Sequence, residues 1–213
     1  MTPRPPDGRS PAPPLQILIL AAGLSRRMRG SDKLLMPVDG IPQLRRLARA
    51  AVAAGAAAGA PVHVVLGPAQ AARRQLLADL PVEVILAPHA PLGMGESLSA
   101  GLAALPPRAA VLLLLADLPE IGTREVAALI VAHRADPAAI LRGASTDGRP
   151  GHPVLLPAWL RPELAALRGD SGARAVLARH PERLRLVPLP GRAAVTDLDT
   201  PEDWAAWLAR RPS

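Results

Sequence analysis

Cysteine is absent from this 213-residue chain, and so are phenylalanine and tyrosine. Without cysteine there is no disulfide framework, no thiolate nucleophile and no Cys-ligated zinc, and a cytoplasmic protein is the simplest expectation. Trp159, Trp204 and Trp207 are the only aromatic residues. A core must therefore come from Leu, Val, Ile and Ala, and binding single-stranded nucleic acid by base stacking has no platforms to use. Long apolar runs are missing too: no stretch approaches the ~18 residues of a membrane span, so no membrane role is expected. Lysine is all but absent, since 25 residues are Lys or Arg and Lys33 is the only lysine among them. An ammonium is a compact point charge and a guanidinium a planar fork, so a site that must touch one phosphate oxygen can tell them apart. Chance retention of a surface lysine is the other reading.

What is present points to a globular protein, 49% hydrophobic, with a formal net charge of +7. Positive charge suits nucleic acid or a small polyanion. The arginines are scattered, and pairs such as Arg45-Arg46 and Arg73-Arg74 fit helix surfaces, so no nucleic-acid partner is expected. Residues 1–14 are rich in proline and carry no apolar signal core; they read as a disordered tail ahead of one domain over residues 15–213.

Apolar runs at 15–20, 62–66, 82–86 and 110–116 read as strands, separated by Ala- and Arg-rich helices over 41–58, 69–79 and 96–105. Such alternation is the signature of a mostly parallel sheet covered on both faces. A helix over 122–135 follows. Then come a short strand at 139–142, a turn at 145–150 and a return limb at 151–156, which form a small antiparallel insertion. Two short helices between 159 and 180, a strand at 184–189 and a helix over 201–210, with Thr200 as N-cap and Pro201 in its first turn, complete the expectation.

The first strand empties into Ala21-Ala22-Gly23-Leu24-Ser25-Arg26-Arg27-Met28-Arg29-Gly30-Ser31-Asp32-Lys33. It is neither of the common phosphate loops, because the dinucleotide fingerprint and the Walker A loop both fail on glycine spacing. A small-residue turn at a strand end, followed by Ser25, Arg26, Arg27, Arg29 and Lys33, nonetheless makes an anion cradle where open α/β sheets bind ligands. Asp117 ends the most apolar strand, where a carboxylate is costly unless solvated, paired or bound to a cation. Asp197, Asp199, Glu202 and Asp203 cluster at another loop. Two separated aspartates facing a polyphosphate suit Mg2+, although helix-entry chemistry explains Asp199 and Asp203 as well. His63, His89, His133 and His180 show no metal-ligand spacing and read as structural or surface residues.

Residues 20–28 followed by Asp32-Lys33-Leu34-Leu35 resemble the signature of the MobA-like nucleotidyltransferases, in particular the branch containing molybdenum-cofactor cytidylyltransferases. The likeness continues through Gly93-Met94-Gly95-Glu96-Ser97-Leu98, Asp117-Leu118-Pro119, Gly151-His152-Pro153-Val154, Gly169-Asp170-Ser171-Gly172-Ala173-Arg174 and Asp197-Leu198-Asp199-Thr200-Pro201-Glu202-Asp203. It implies a Rossmann-like three-layer α/β/α fold of the nucleotide-diphospho-sugar transferase type, and transfer of a nucleoside monophosphate from an NTP to a phosphorylated acceptor such as molybdopterin. By the same resemblance, Leu20, Ala21, Ala22, Gly23, Ser25, Gly93 and Ser97 line the nucleotide, with Ala21, Ala22 and Gly23 holding base and sugar. Arg26 and Lys33 meet the triphosphate and act in catalysis with Asp117, Asp117 and Asp199 hold Mg2+, and His152, Asp170 and Arg174 face the acceptor. The Ala-Ala-Gly start resembles the cytidylyl branch and favours CTP over GTP. Two features depart from the pattern: Arg29 stands between Met28 and Gly30, lengthening the loop, and Leu118 stands where that branch often has glutamine. A guanylyltransferase of the same fold, or a non-catalytic nucleotide- or pterin-binding chaperone for a molybdoenzyme client, are the alternatives.

Overall fold

The computed structural model describes residues 14–165 and 173–210. In chain order the elements are β1 (Leu15–Leu20), β2 (Pro37–Val38), β3 (Ile41–Pro42), α1 (Gln43–Ala56), β4 (Val62–Leu66), α2 (Ala71–Gln75) and β5 (Val82–Leu86). There follow α3 (Met94–Ala104), β6 (Ala110–Leu115), α4 (Thr123–Ala135), β7 (Ile140–Ala144), β8 (Pro150–Leu156), α5 (Arg161–Ala165), α6 (Arg174–Leu177), β9 (Leu184–Pro188) and α7 (Pro201–Ala209). The main sheet has seven strands in the order β5-β4-β1-β6-β8-β7-β9, and β2 pairs with β3 in a separate two-stranded ribbon. β1 runs parallel to β4 and β6, β8 is antiparallel to both β6 and β7, and β9 lies parallel to β7. The mixed half is thus the antiparallel insertion expected from the turn at 145–150.

Strand alternation builds the layers. Ile17 and Ile19 of β1, with Leu112 and Leu114 of β6, meet Leu44, Leu47 and Ala51 of α1 and Val126, Leu129 and Ile130 of α4. Leu18, Leu20, Val111 and Leu113 point the other way, against Leu98 and Leu102 of α3, Leu164 of α5 and Val176 and Leu177 of α6. Because successive side chains of a strand leave opposite faces, an uninterrupted apolar run is what a strand buried on both faces requires. Close packing of α3 depends on Gly101: a Cβ there would lie 2.8 Å from the Leu18 side chain and 2.9 Å from that of Val65.

Two boundaries differ from expectation for local reasons. Residues 41–42 join the ribbon with β2 instead of starting α1, since Pro42 lacks an amide hydrogen and adopts ψ 135°. α2 is one short stretch, Ala71–Gln75, rather than residues 69–79, and residues 76–79 continue as turns. α7 begins as read: the Thr200 hydroxyl accepts from the Asp203 amide, and the Asp203 carboxylate accepts from the Thr200 amide. Trp204 and Trp207 bury their rings edge to face against Met28, Val38 and Leu198. The C-terminal helix thereby anchors the loop that follows β1. No helix among the described residues is long and apolar enough to cross a membrane.

Candidate active site

From β1 the chain turns to one side of the sheet to form β4 and β5, then crosses back to place β6 on β1's other side. The carboxyl ends of β1 and β6 therefore diverge at a switch point, the place where open α/β sheets leave a crevice. A cleft of about 520 Å3 lies there. It is lined by Leu20, Ala21, Ala22, Gly23, Ser25 and Arg26 from the β1 loop, and by Lys33 and Asp117. Gly93 and Ser97 at the start of α3, with Asp197 and Asp199 ahead of α7, also line it. Every residue that the resemblance assigned to nucleotide or metal is thus in one cavity. Gly93 carries φ 139°, a conformation that favours glycine, and it lets the chain turn into the N-terminus of α3 at the cleft wall.

The centre of the cleft is an ion triad. The Lys33 ammonium donates to Oδ2 of Asp117 at 2.6 Å and to Oδ1 of Asp199 at 2.7 Å. Arg27 reaches the other oxygen of Asp199 at 2.7 Å. The Lys33 side chain is only 13% exposed. Burial alone would lower its pKa, but the charges and hydrogen bonds of the two aspartates outweigh burial and raise it. With Arg29 in the loop, Lys33 still reaches both aspartates, and the loop around Arg29 runs through left-handed backbone. Ser25 (φ 49°), Arg29 (φ 51°) and Gly30 (φ 93°) all lie at positive φ, and Arg29 is tied outward to Glu202 at 2.7 Å.

A buried arginine braces the loop from below. Arg73, 2% exposed, donates to both carboxylate oxygens of Asp32 at 2.7 Å, to the Ala21 and Gly23 carbonyls at 2.5 and 2.7 Å, and to the Ser25 hydroxyl at 3.2 Å. Gln70, three residues earlier on the same face, donates to the Ala22 carbonyl at 2.9 Å. With their carbonyls held below, residues 21–23 are fixed in place at the cleft wall. Burial resists ionisation of Asp32, yet the bonds from Arg73 and the Leu34 amide prevail and hold its carboxyl below the usual range. The surface reading of Arg73-Arg74 therefore fails for Arg73. The usable signal was the Gln70/Arg73 spacing, which puts two long polar side chains on one helix face. Arg46, too, turns inward. Together with buried Gln43 it holds the segment after β6: Gln43 donates to the Ala116 and Leu118 carbonyls, and Arg46 to those of Pro119 and Ile121. Asp117 is positioned by α1.

Of the three residues expected at the acceptor, Asp170 lies outside the described residues. Arg174 is exposed at the start of α6. His152 sits on β8 beside the end of β6, its Nδ1 buried without a partner. Burial, then the charge of Arg142, push its pKa down to about 4, against smaller opposing contributions from Asp117 and the Leu113 backbone. A histidine kept neutral in the fold but charged when unfolded costs stability as pH falls from about 6.5 to about 4, with roughly 3 kcal/mol at stake. Urea midpoints at pH 7 and pH 4 should therefore converge in His152→Gln relative to the parent chain. An unchanged difference would remove His152 as the cause. His63 and His133 are likewise shifted down, mainly by burial, as expected of structural histidines.

The residues fit a divalent cation in one particular way. Asp117 Oδ1 is buried without a hydrogen-bond partner, while Asp199 and Asp197 line the same cavity. Among the described residues no group of three or more acids or histidines could hold an ion alone. A hard cation that takes one or two carboxylates and completes its shell with water and phosphate oxygens matches that donor set.

Comparison with known proteins agrees with the geometry. Residues 17–184 match the MobA-like NTP transferase domain, and the chain belongs to that family. It is 31% identical over 191 residues to nicotine blue oxidoreductase of Paenarthrobacter nicotinovorans, covering 87% of this chain and 92% of that protein. Rv0371c from Mycobacterium tuberculosis H37Rv superposes with a TM-score of 0.75 at 28% identity, over 93% of this chain and 100% of that one. A manganese complex of Rv0371c superposes at 0.71 with 26% identity, over 93% and 100% of the two chains.

Proposed function

We propose that this chain transfers a nucleoside monophosphate, CMP from CTP in the favoured case, to a phosphorylated acceptor of the molybdopterin type with release of pyrophosphate. The observation that carries the reading is the triad at the switch point, one ammonium held between two carboxylates beside a braced small-residue loop. The Ala21-Ala22-Gly23 backbone would lie along base and sugar, with Ser97 at the α3 wall, and Arg26 and Lys33 would meet the triphosphate. An oxygen of the acceptor phosphate forms a bond to the α-phosphorus while the bond from that phosphorus to the bridging oxygen of the β-phosphate breaks. The departing pyrophosphate carries the electron pair. Such a displacement needs alignment and charge stabilisation more than covalent help, and fixed cations along the cleft supply both. Asp117 and Asp199 would hold Mg2+, which neutralises charge on the phosphate oxygens. That a mycobacterial relative was solved as a manganese complex supports a divalent ion as a ligand of this fold.

A second reading draws on the same centre. Lys33 already fills the position between Asp117 and Asp199, an arrangement that can serve a metal-free site, and the relative named nicotine blue oxidoreductase is similar along most of the chain. On that reading the cleft takes a redox dinucleotide. Pyrophosphate release from CTP or GTP, with molybdopterin as acceptor and with or without Mg2+, separates the two. The transfer reading expects metal-dependent release that falls about 100- to 1,000-fold in Asp117→Asn, the scale of losing one preorganised charge contact. Release that is equal without metal, or normal in the variant, overturns it.

A further inference from the structure

A second cavity, about 850 Å3, lies between α3 and the start of α5 and shares no lining residue with the switch-point cleft. Its apolar walls include Ala103 of α3, Leu105 and Pro107 from the loop ahead of β6, and Trp159 and Pro162 around the start of α5. Trp159 is 41% exposed, the only exposed tryptophan in a chain without phenylalanine or tyrosine. Its ring is nevertheless fixed. The indole Nε1 donates to the Ala138 carbonyl at 3.0 Å, and His180 packs against the ring edge to face at 5.0 Å between centroids. Buried Arg161 pins the other wall by donating to the carbonyls of Leu102, Pro106 and Ala109. The groove is therefore formed before anything enters it.

The start of the chain lies at the edge of this groove. β1 and β6 are parallel and enter the sheet from the same side, and the Pro14 carbonyl accepts from the Ala110 amide at 2.9 Å. Arg108, which also lines the groove, is two residues before Ala110, a step of at most about 7 Å. Residues 1–13 continue from Pro14, and five of them are proline: Pro3, Pro5, Pro6, Pro11 and Pro13. Proline fixes φ near the polyproline II value, and in that helix, with three residues per turn, Pro3 and Pro6 share one face, as do Pro11 and Pro14. Such segments dock in aromatic-lined grooves at small entropic cost, because the extended conformation is already set. Their carbonyls have no donors of their own to pair with, and Ser99 and exposed Arg108 in the lining supply them.

We propose that residues 1–13 dock in this groove of their own chain as a polyproline II segment, with proline rings against Trp159. Thirteen such residues span about 40 Å, more than enough to cross from Pro14 to Trp159. A tether this short gives an effective concentration on the order of millimolar. An intrinsic affinity of only about 0.1 mM then favours the docked state about ten to one. The docking is independent of the reaction carried out in the switch-point cleft.

Trypsin tests this on the full chain. Arg4 precedes Pro5, which leaves Arg9–Ser10 as the cleavable bond of the segment, and the mass of the chain reports its loss. When docking is fast, cleavage follows the undocked population, so Arg9–Ser10 is expected to be cut about 10-fold more slowly than in a free peptide of residues 1–14. Ala103→Gln, which puts a long side chain into the groove from an exposed helix position, and Trp159→Leu, which keeps apolar bulk but removes the ring, are each expected to restore the peptide's rate. A parent chain cut as fast as the peptide overturns the proposal, as does protection that survives Ala103→Gln. Protection that grows with protein concentration also overturns it, because the groove is then filled by a second copy of the chain.

Discussion

Replacing Lys33 by alanine is expected to lower the melting temperature of the metal-free protein by about 5–10 °C, and millimolar Mg2+ or Mn2+ is expected to restore most of the loss. The ammonium is the shared partner of Asp117 and Asp199 at 2.6 and 2.7 Å. Without it two carboxylates with about a fifth of their side-chain surface exposed face each other, with only Arg27 left to offset Asp199. Breaking a fully buried pair costs ~3–5 kcal/mol, so a partly exposed one should cost about 2–3 kcal/mol. For a protein of this size, each kcal/mol corresponds to about 2–4 °C. A divalent ion competes with the ammonium in the parent chain and meets no competitor in the variant, so its stabilising effect should be larger in Lys33→Ala. Differential scanning fluorimetry with and without metal measures both numbers. A variant that melts like the parent, or that metal leaves unchanged, would mean the carboxylate pair is not a cation site. Lys33→Arg tests the shape of the same group: a planar fork cannot put one nitrogen on both carboxylates in the same way, so turnover should fall although charge is kept.

Arg73→Met should be the most destabilising single change near the cleft. It removes the bidentate partner of Asp32 and leaves the Ala21 and Gly23 carbonyls without their buried donor. Loss of a buried ion pair together with unsatisfied carbonyls predicts a cost of about 3–5 kcal/mol. Chemical denaturation should show it as a lower midpoint with an unchanged slope. Nucleotide affinity should fall as well, because the loop that would lie along base and sugar is held in shape from below. Arg74→Met, one residue on and exposed, is the control and should be near neutral. Equal effects of the two changes would mean Arg73 carries no special share of the loop's order.

The strands were legible because each is a short, mostly apolar run bounded by turn residues, and β1, β4 and β5 begin and end where the sequence places them. Short elements were not. The Ile41–Pro42 strand pairs with β2 where the sequence suggests the start of a helix, and α2 is only the five residues Ala71–Gln75. At the site, the residue types could be read from motif blocks, but their meetings could not. Lys33 finds Asp117 across 84 positions and Asp199 across 166. Nothing local indicates that Arg73 turns inward while Arg74 faces water, apart from the Gln70/Arg73 spacing. The Arg29 insertion is instructive in the same way. The sequence shows only that Arg29 lengthens the loop, whereas the structure shows left-handed backbone at Arg29 and Gly30 and Lys33 in contact with both aspartates.

The account stands or falls on what the switch-point cleft binds. Thermal unfolding of the full chain with CTP, GTP, ATP, UTP, NADH and NADPH, each with and without Mg2+, answers that directly, since a ligand of the native state stabilises it by mass action. The account predicts a rise with CTP that needs Mg2+ and is lost in Asp117→Asn. A rise with a redox dinucleotide that ignores Mg2+, and none with any nucleoside triphosphate, would contradict it.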